Sequence, residues 1–152
     1  MLIRVGIENN NDDRSIAWAL EHPGCFAYGA DAAQATANMT RAMEEYAAWV
    51  RAHGMHWMDD GPVEVVVEET FEAYRLPPDP ALADGPEQGP LVESFFRADA
   101  EPLTGTDVER AFKLLDWSRK DLLDSIQGLS EQQLNEKRTE ERWKNSGERA
   151  CQ

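Results

Sequence analysis

The chain has 152 residues, 41% of them hydrophobic, so it can bury one modest core but not two large ones. Residues 1–75 and 76–136 each carry 5 basic and 13 acidic side chains within a formal net charge of -14, and that excess repels phosphate backbones, so direct nucleic-acid binding is excluded as an expectation. No run approaches the ~18 apolar residues of a membrane span and the start lacks an apolar leader core, which points to a cytoplasmic protein without a membrane role.

Ile3, Val5 and Ile7 alternate with polar or small residues, as do Ile16, Trp18 and Leu20, and NNNDD lies between them; this predicts strand, turn, strand. His22-Pro23-Gly24-Cys25 follows, with Pro and Gly at the two central positions of a type II turn, leading into a short apolar strand through Tyr28. Asp31-x-x-Gln34 predicts a capped helix start. The stripe Ala35, Met39, Ala42, Met43, Tyr46, Trp49 and Val50 has helical spacing, and Gly54 is placed to end the helix.

After Asp59-Asp60-Gly61-Pro62, the β-branched run from Val63 to Val67 begins a fourth strand that extends toward Phe71. The expected fold class is therefore α+β, a small antiparallel β-β-β-α-β domain over residues 1–75, followed by a linker and two C-terminal helices. Residues 76–103, rich in Pro and Gly at their start, read as the linker. Within 104–152, Thr106-x-x-Glu109 predicts a helix cap before the stripe Val108, Ala111, Phe112, Leu115, Leu122 and Ile126, and Gly128 closes that helix. Ser130-x-x-Gln133, with Leu129 and Leu134 as a hydrophobic staple, starts a third, while the tail past Leu134 is expected to fray.

Candidate chemistry is sparse. His53 and His56 lie beside Asp59 and Asp60, residue types that ligate metals, but around a helix stop they read as exposed side chains complementing the dipole. Cys25 with His22 as its base would need a third, orienting group, so a structural role is expected; Cys151 reads as an accessible tail thiol, and the two cysteines as reduced. Glu44-Glu45, Asp59-Asp60 and Glu68-Glu69 read as solvated faces. The sequence thus assigns no catalytic, cofactor-binding or metal residue.

From Ser15 to Val50 the chain resembles the HicB-like antitoxin family, on Trp18, Pro23, Gly24, Cys25, Tyr28, Gly29, Asp31, Ala35, Asn38 and Ala42. The resemblance implies a β-β-β-α-β fold, dimerisation and, in true antitoxins, binding of a small toxin. The helix-turn-helix or ribbon-helix-helix segment that such proteins usually add is not apparent. Residues 107–135 instead resemble the opening of a DinB-like helical domain, through Leu114-Leu115-Asp116-Trp117-Ser118-Arg119 and Leu129-Ser130-Glu131-Gln132-Gln133-Leu134. That family often binds a divalent metal through three histidines, the first lying after a Trp comparable to Trp143; here no histidine follows His56, so the site is not carried over. The switch in composition after Trp143 suggests a domain cut short or a shifted frame.

The expected function is a non-enzymatic, HicB-like protein-interaction module with an acidic surface that suits a small basic protein. The alternative is a fragment of a DinB-like metal-dependent transferase or hydrolase lacking its ligands. Leu114, Trp117 and Leu123 fall off the core-facing stripe of the second helix. They predict a homodimer through that helix or through an exposed sheet edge.

Overall fold

The computed structural model describes residues 1–59, 61–78, 89–130 and 133. The chain divides into two units, Met1–Thr104 and Gly105–Gln152. The first unit has strands β1 (Leu2–Asn11), β2 (Arg14–Ala19) and β3 (Phe26–Gly29), helix α1 (Ala32–Ala52), strand β4 (Glu64–Glu72), a short pair β5 (Tyr74–Arg75) and β6 (Leu91–Val92), and a 3₁₀ turn at Arg97–Ala100. The α+β class is as expected from the sequence.

Local signals set the element ends. Asp12 and Asp13 both take positive φ between the paired residues Asn11 and Arg14, the backbone of a two-residue hairpin turn that matches strand twist. Asn10 is also left-handed, where the register shifts between Glu8 and Asn11. In the second hairpin Gly24 has φ +85° and the Cys25 amide donates to the His22 carbonyl at 3.0 Å, as the Pro-Gly turn predicts.

Asp31 caps α1 by accepting from the Gln34 amide at 2.8 Å, and Gln34 Oε1 accepts from the Ala30 amide. At the other end Gly54 has φ +78°, its amide donates to Arg51 and that of Met55 to Val50, the paired bonds of a Schellman motif. Ala35, Met39, Met43, Ala47 and Val50 are the buried stripe of α1. They pack over Ile3, Val5 and Ile7 of β1 and Ala17, Ala19, Cys25 and Ala27 of the hairpin strands, all buried. The helix sits so close to β3 that a Cβ on Gly29 would stand 2.2 Å from the Ala35 nitrogen.

The sheet order is β3-β2-β1-β4, with β1–β2 and β2–β3 antiparallel and β1–β4 parallel. The expectation of an antiparallel sheet is therefore corrected to a mixed one. The reason is α1, a crossover that returns the chain to the start of the sheet, so that β4 enters in the direction of β1.

The linker reading of residues 76–103 is corrected as well for residues 89–103, which lie within the first unit. β6 pairs with β5, and Phe96, 3% exposed, lies over the centre of the sheet on the face opposite α1. A Cβ on Gly6 would meet the Phe96 ring at 2.6 Å. Burying Phe96 contributes about 1.5–3 kcal/mol, and the missing side chain at Gly6 is what admits it.

The second unit contains α2 (Gly105–Ile126), with Gly128 at φ +88° just past its end. Its start differs from the expected cap at Thr106, which lies inside the helix; Thr104 stands immediately before it. Ser130 and Gln133 do form the expected reciprocal cap, Oε1 of Gln133 accepting from the Ser130 amide at 2.9 Å. The body of the third helix, the staple residue Leu134 and the tail lie outside the described residues.

Phe96→Ala is expected to cost about 3–5 kcal/mol in urea unfolding, as truncation of a core aromatic does. Gly6→Val is expected to cost about 1–3 kcal/mol through overpacking against the same ring. Stability unchanged by both would show that residues 89–103 behave as a linker.

Candidate interaction surface

Strand alternation gives β1 two different faces. Ile3, Val5 and Ile7 meet α1, whereas Arg4, Gly6 and Glu8 point to the opposite face, beside Ile16 and Trp18 of β2 and Phe26 and Tyr28 of β3. On that face lies a buried carboxylate. Glu8, 1% exposed, accepts from Asn11 Nδ2 at 2.8 Å, Trp18 Nε1 at 3.0 Å and Ser94 Oγ at 2.9 Å. Neutral donors from β1, β2 and the β6 segment thus supply the partners that a buried carboxylate requires.

Around this centre the face is aromatic on one side and charged on the other. Trp18 and Phe26 have ring centroids 5.2 Å apart, and Phe26 meets Tyr28 edge-on at 5.5 Å, with Phe26 and Tyr28 both exposed. Arg4 reaches Glu68 on the β4 side and Glu21, just past β2, on the other, each at 2.9 Å. The Glu21 hydrogen bond and charge, then the Glu68 charge, raise the Arg4 pKa above its usual value. Glu69 lies 3.6 Å from Arg97 Nε, whereas Glu72, in register with Asn9 and so on the α1 side by alternation, accepts from Asn9 Nδ2 and Asn10 Nδ2.

The two sheet edges differ. On the β3 edge, four residues long, Asn38 Nδ2 of α1 donates to the Tyr28 carbonyl at 2.8 Å. On the β4 edge, nine residues run from Glu64 to Glu72, and Val66 and Val67 are 42% and 44% exposed. No strand among the described residues pairs beyond β4.

The candidates raised from sequence are scattered over this unit. His53 is the residue after α1, its Nδ1 3.1 Å from the Trp49 carbonyl oxygen and its ring 5.1 Å from that of Trp49, while the His22 ring lies 6.1 Å from Tyr46. Among the described residues no group of three or more His, Cys, Asp or Glu side chains is arranged to hold a metal ion. Asp59 lines a shallow cleft of about 190 Å³ with Met1, Met43, Glu44, Ala47 and Arg51. That volume is below the ~300–1,000 Å³ of ordinary ligand pockets. Asp60 and Cys151 lie outside the described residues.

Cys25 is buried with its Sγ 3.7 Å from Met43 Sδ, and burial pushes its thiol up to about 11. It is therefore a protonated core thiol at neutral pH, opposite to what a nucleophile needs. Sequence reasoning passed over Glu8, Ser94 and Phe96. Phe95-Phe96, two aromatics in a stretch without periodicity, was the signal that this stretch returns to a core.

No family model matches the chain, and neither a curated protein nor a solved structure matches it. Among the described residues no helix is long and apolar enough to cross a membrane.

Glu8→Gln places an amide donor among donors, and is expected to lower stability in urea by about 1–3 kcal/mol, against little change for the exposed Glu64→Gln. Cys25 gives a pH dependence. Its folded value of about 11 lies above the ordinary 9.0, so the contribution of the neutral thiol is complete below pH 9 and is lost as pH rises toward 11. In a Cys151→Ser background, unfolding measured across that window is expected to show a fall in stability that Cys25→Ala makes smaller.

Proposed function

We propose that the chain is a non-enzymatic, HicB-like protein-interaction module that works in the cytoplasm as a homodimer and presents an acidic surface to a basic protein partner. The order β-β-β-α-β, the Pro23-Gly24-Cys25 turn and the Asp31 cap agree with the HicB-like reading. The observation that carries the self-association is α2, which has no buried residue. Phe112, Leu115 and Leu122 are 64%, 64% and 60% exposed, and Val108 and Ile126 continue the same helical spacing.

This stripe is the one expected from sequence to face a core; of the three residues expected to lie off it, Leu114 and Trp117 are half-buried and Leu123 is exposed. The exposure of Phe112, Leu115, Leu122 and Ile126 supports a dimer surface on this stripe. Each contributes about 1.5–3 kcal/mol when fully buried, and both copies contribute. The opposing association cost is roughly 4–15 kcal/mol. The net charge of -14 also opposes association, but at ~0.15 M salt charges farther apart than ~8 Å are largely screened.

Light scattering at micromolar concentration is expected to give twice the 17.1 kDa chain mass, falling to the monomer in Leu115→Asp and Leu122→Asp variants. A wild-type monomer that does not respond to salt would overturn the dimer.

A further inference from the structure

The open edge of β4 has the geometry and the charge to take a strand from another protein. We infer that this edge binds an extended, Lys- or Arg-bearing segment of a partner, which adds to the sheet beside β4. The inference rests on the reading of the chain as an interaction module and names the surface and the chemistry of what it holds.

The backbone carries the first part. Glu64 and Ala73 donate their amides to the Met1 and Asn9 carbonyls on the β1 side, while the Leu20 amide reaches the Arg4 carbonyl on the other side of β1. Alternation then turns the amides of Val65 and Val67 outward and, past the register shift, those of Thr70 and Glu72. Main-chain groups in such a row are what strand addition uses for affinity.

Natural edges are blunted by shortness, proline, charged side chains, bulges or a covering group, and on β4 the charges are all acidic, which repels a like-charged strand and admits a basic one. The β3 edge is short and meets Asn38, whereas Glu64–Glu72 contains neither proline nor lysine. The register shift between Val5 and Gly6 interrupts β4 but leaves a row of outward amides on both sides of it.

Charge selects the occupant. β4 carries Glu64, Glu68, Glu69 and Glu72, and among the described residues the guanidiniums paired with them are Arg4, shared with Glu21, and Arg97. The strip therefore stays acidic after its internal pairs are formed. A second copy of β4 would bring the same four carboxylates against it, and like charges directly opposite destabilise strand pairing. A basic segment has complementary charge on the same backbone pattern, and Val66 and Val67 offer it apolar contact.

The test uses the full chain and a blocked ten-residue peptide of alternating Thr and Lys. Two controls are a Thr-Glu peptide and a Thr-Lys peptide N-methylated at alternate residues, which keeps its charge but loses its edge donors. Amide exchange followed by NMR is expected to slow about tenfold or more at Val65, Val67, Thr70 and Glu72 with the Thr-Lys peptide alone. Val67→Pro, which removes an outward amide, and Glu64→Lys, which alters only charge and keeps the fold testable, are each expected to weaken binding about tenfold or more.

Equal binding of the N-methylated peptide would reduce the effect to charge adsorption and overturn the inference. So would an absence of protection at these amides, or protection that grows with protein concentration without peptide, which would mark a second copy. Binding to the monomeric Leu115→Asp variant as tight as to wild type would support the edge independently of the dimer, so the two readings fail separately.

Discussion

The first unit depends on β1 being buried from both sides. One strand of ten residues supplies the floor under α1 through Ile3, Val5 and Ile7, and the seat for Phe96 and Ser94 through Gly6 and Glu8. Because alternation fixes which residues share a face, a shift by one residue would put Glu8 under the helix and Ile7 under the polar cluster. Among the described residues β1 is also the only strand paired on both sides with opposite senses, antiparallel to β2 and parallel to β4. β2, β4 and α1 are placed by what they meet on this strand, and β3 through β2 and α1.

Among the described residues the buried Glu8 is held by neutral donors rather than by a cation. Three neutral donors from separate stretches of the chain converge on it, which fixes the mutual positions of the first hairpin and the β6 segment. Such an arrangement gives specificity more than stability, since each hydrogen bond nets only about 0.5–1.5 kcal/mol while an orphaned group costs more. Phe96 beside it adds the apolar burial. Together they turn a stretch of unremarkable composition into the cover of the second sheet face.

What could be read from sequence was local. The Pro23-Gly24 turn, the Asp31 cap, the Gly54 stop and the β-branched start of β4 each depend on residues within a few positions, and each is found where expected. What escaped was non-local: the parallel partner of β4, whose direction is set by the crossover, and the return of Phe96 to Gly6, since nothing in the spacing of either marks the other. The stripe on α2 was recognised as apolar, but spacing alone does not tell whether a helix side is covered, and Phe112 and Leu115 of the stripe are exposed as Leu123 off it is. The β4 edge was visible only as carboxylates until the strand order placed it outermost.

The sequence distances within the first unit also bear on the order in which it assembles. β1, β2 and β3 are joined by turns of a few residues, whereas the bond from Ser94 to Glu8 closes a span of 86 positions. Loop-closure entropy rises with span, so the meander and its helix can organise before the β6 segment has anything to dock on. The same asymmetry runs in reverse under native conditions. Detachment of residues 89–103 would leave the α1 side of the core packed while exposing Gly6, Glu8 and Trp18, which makes this cover a separable layer of stability rather than part of the folding nucleus.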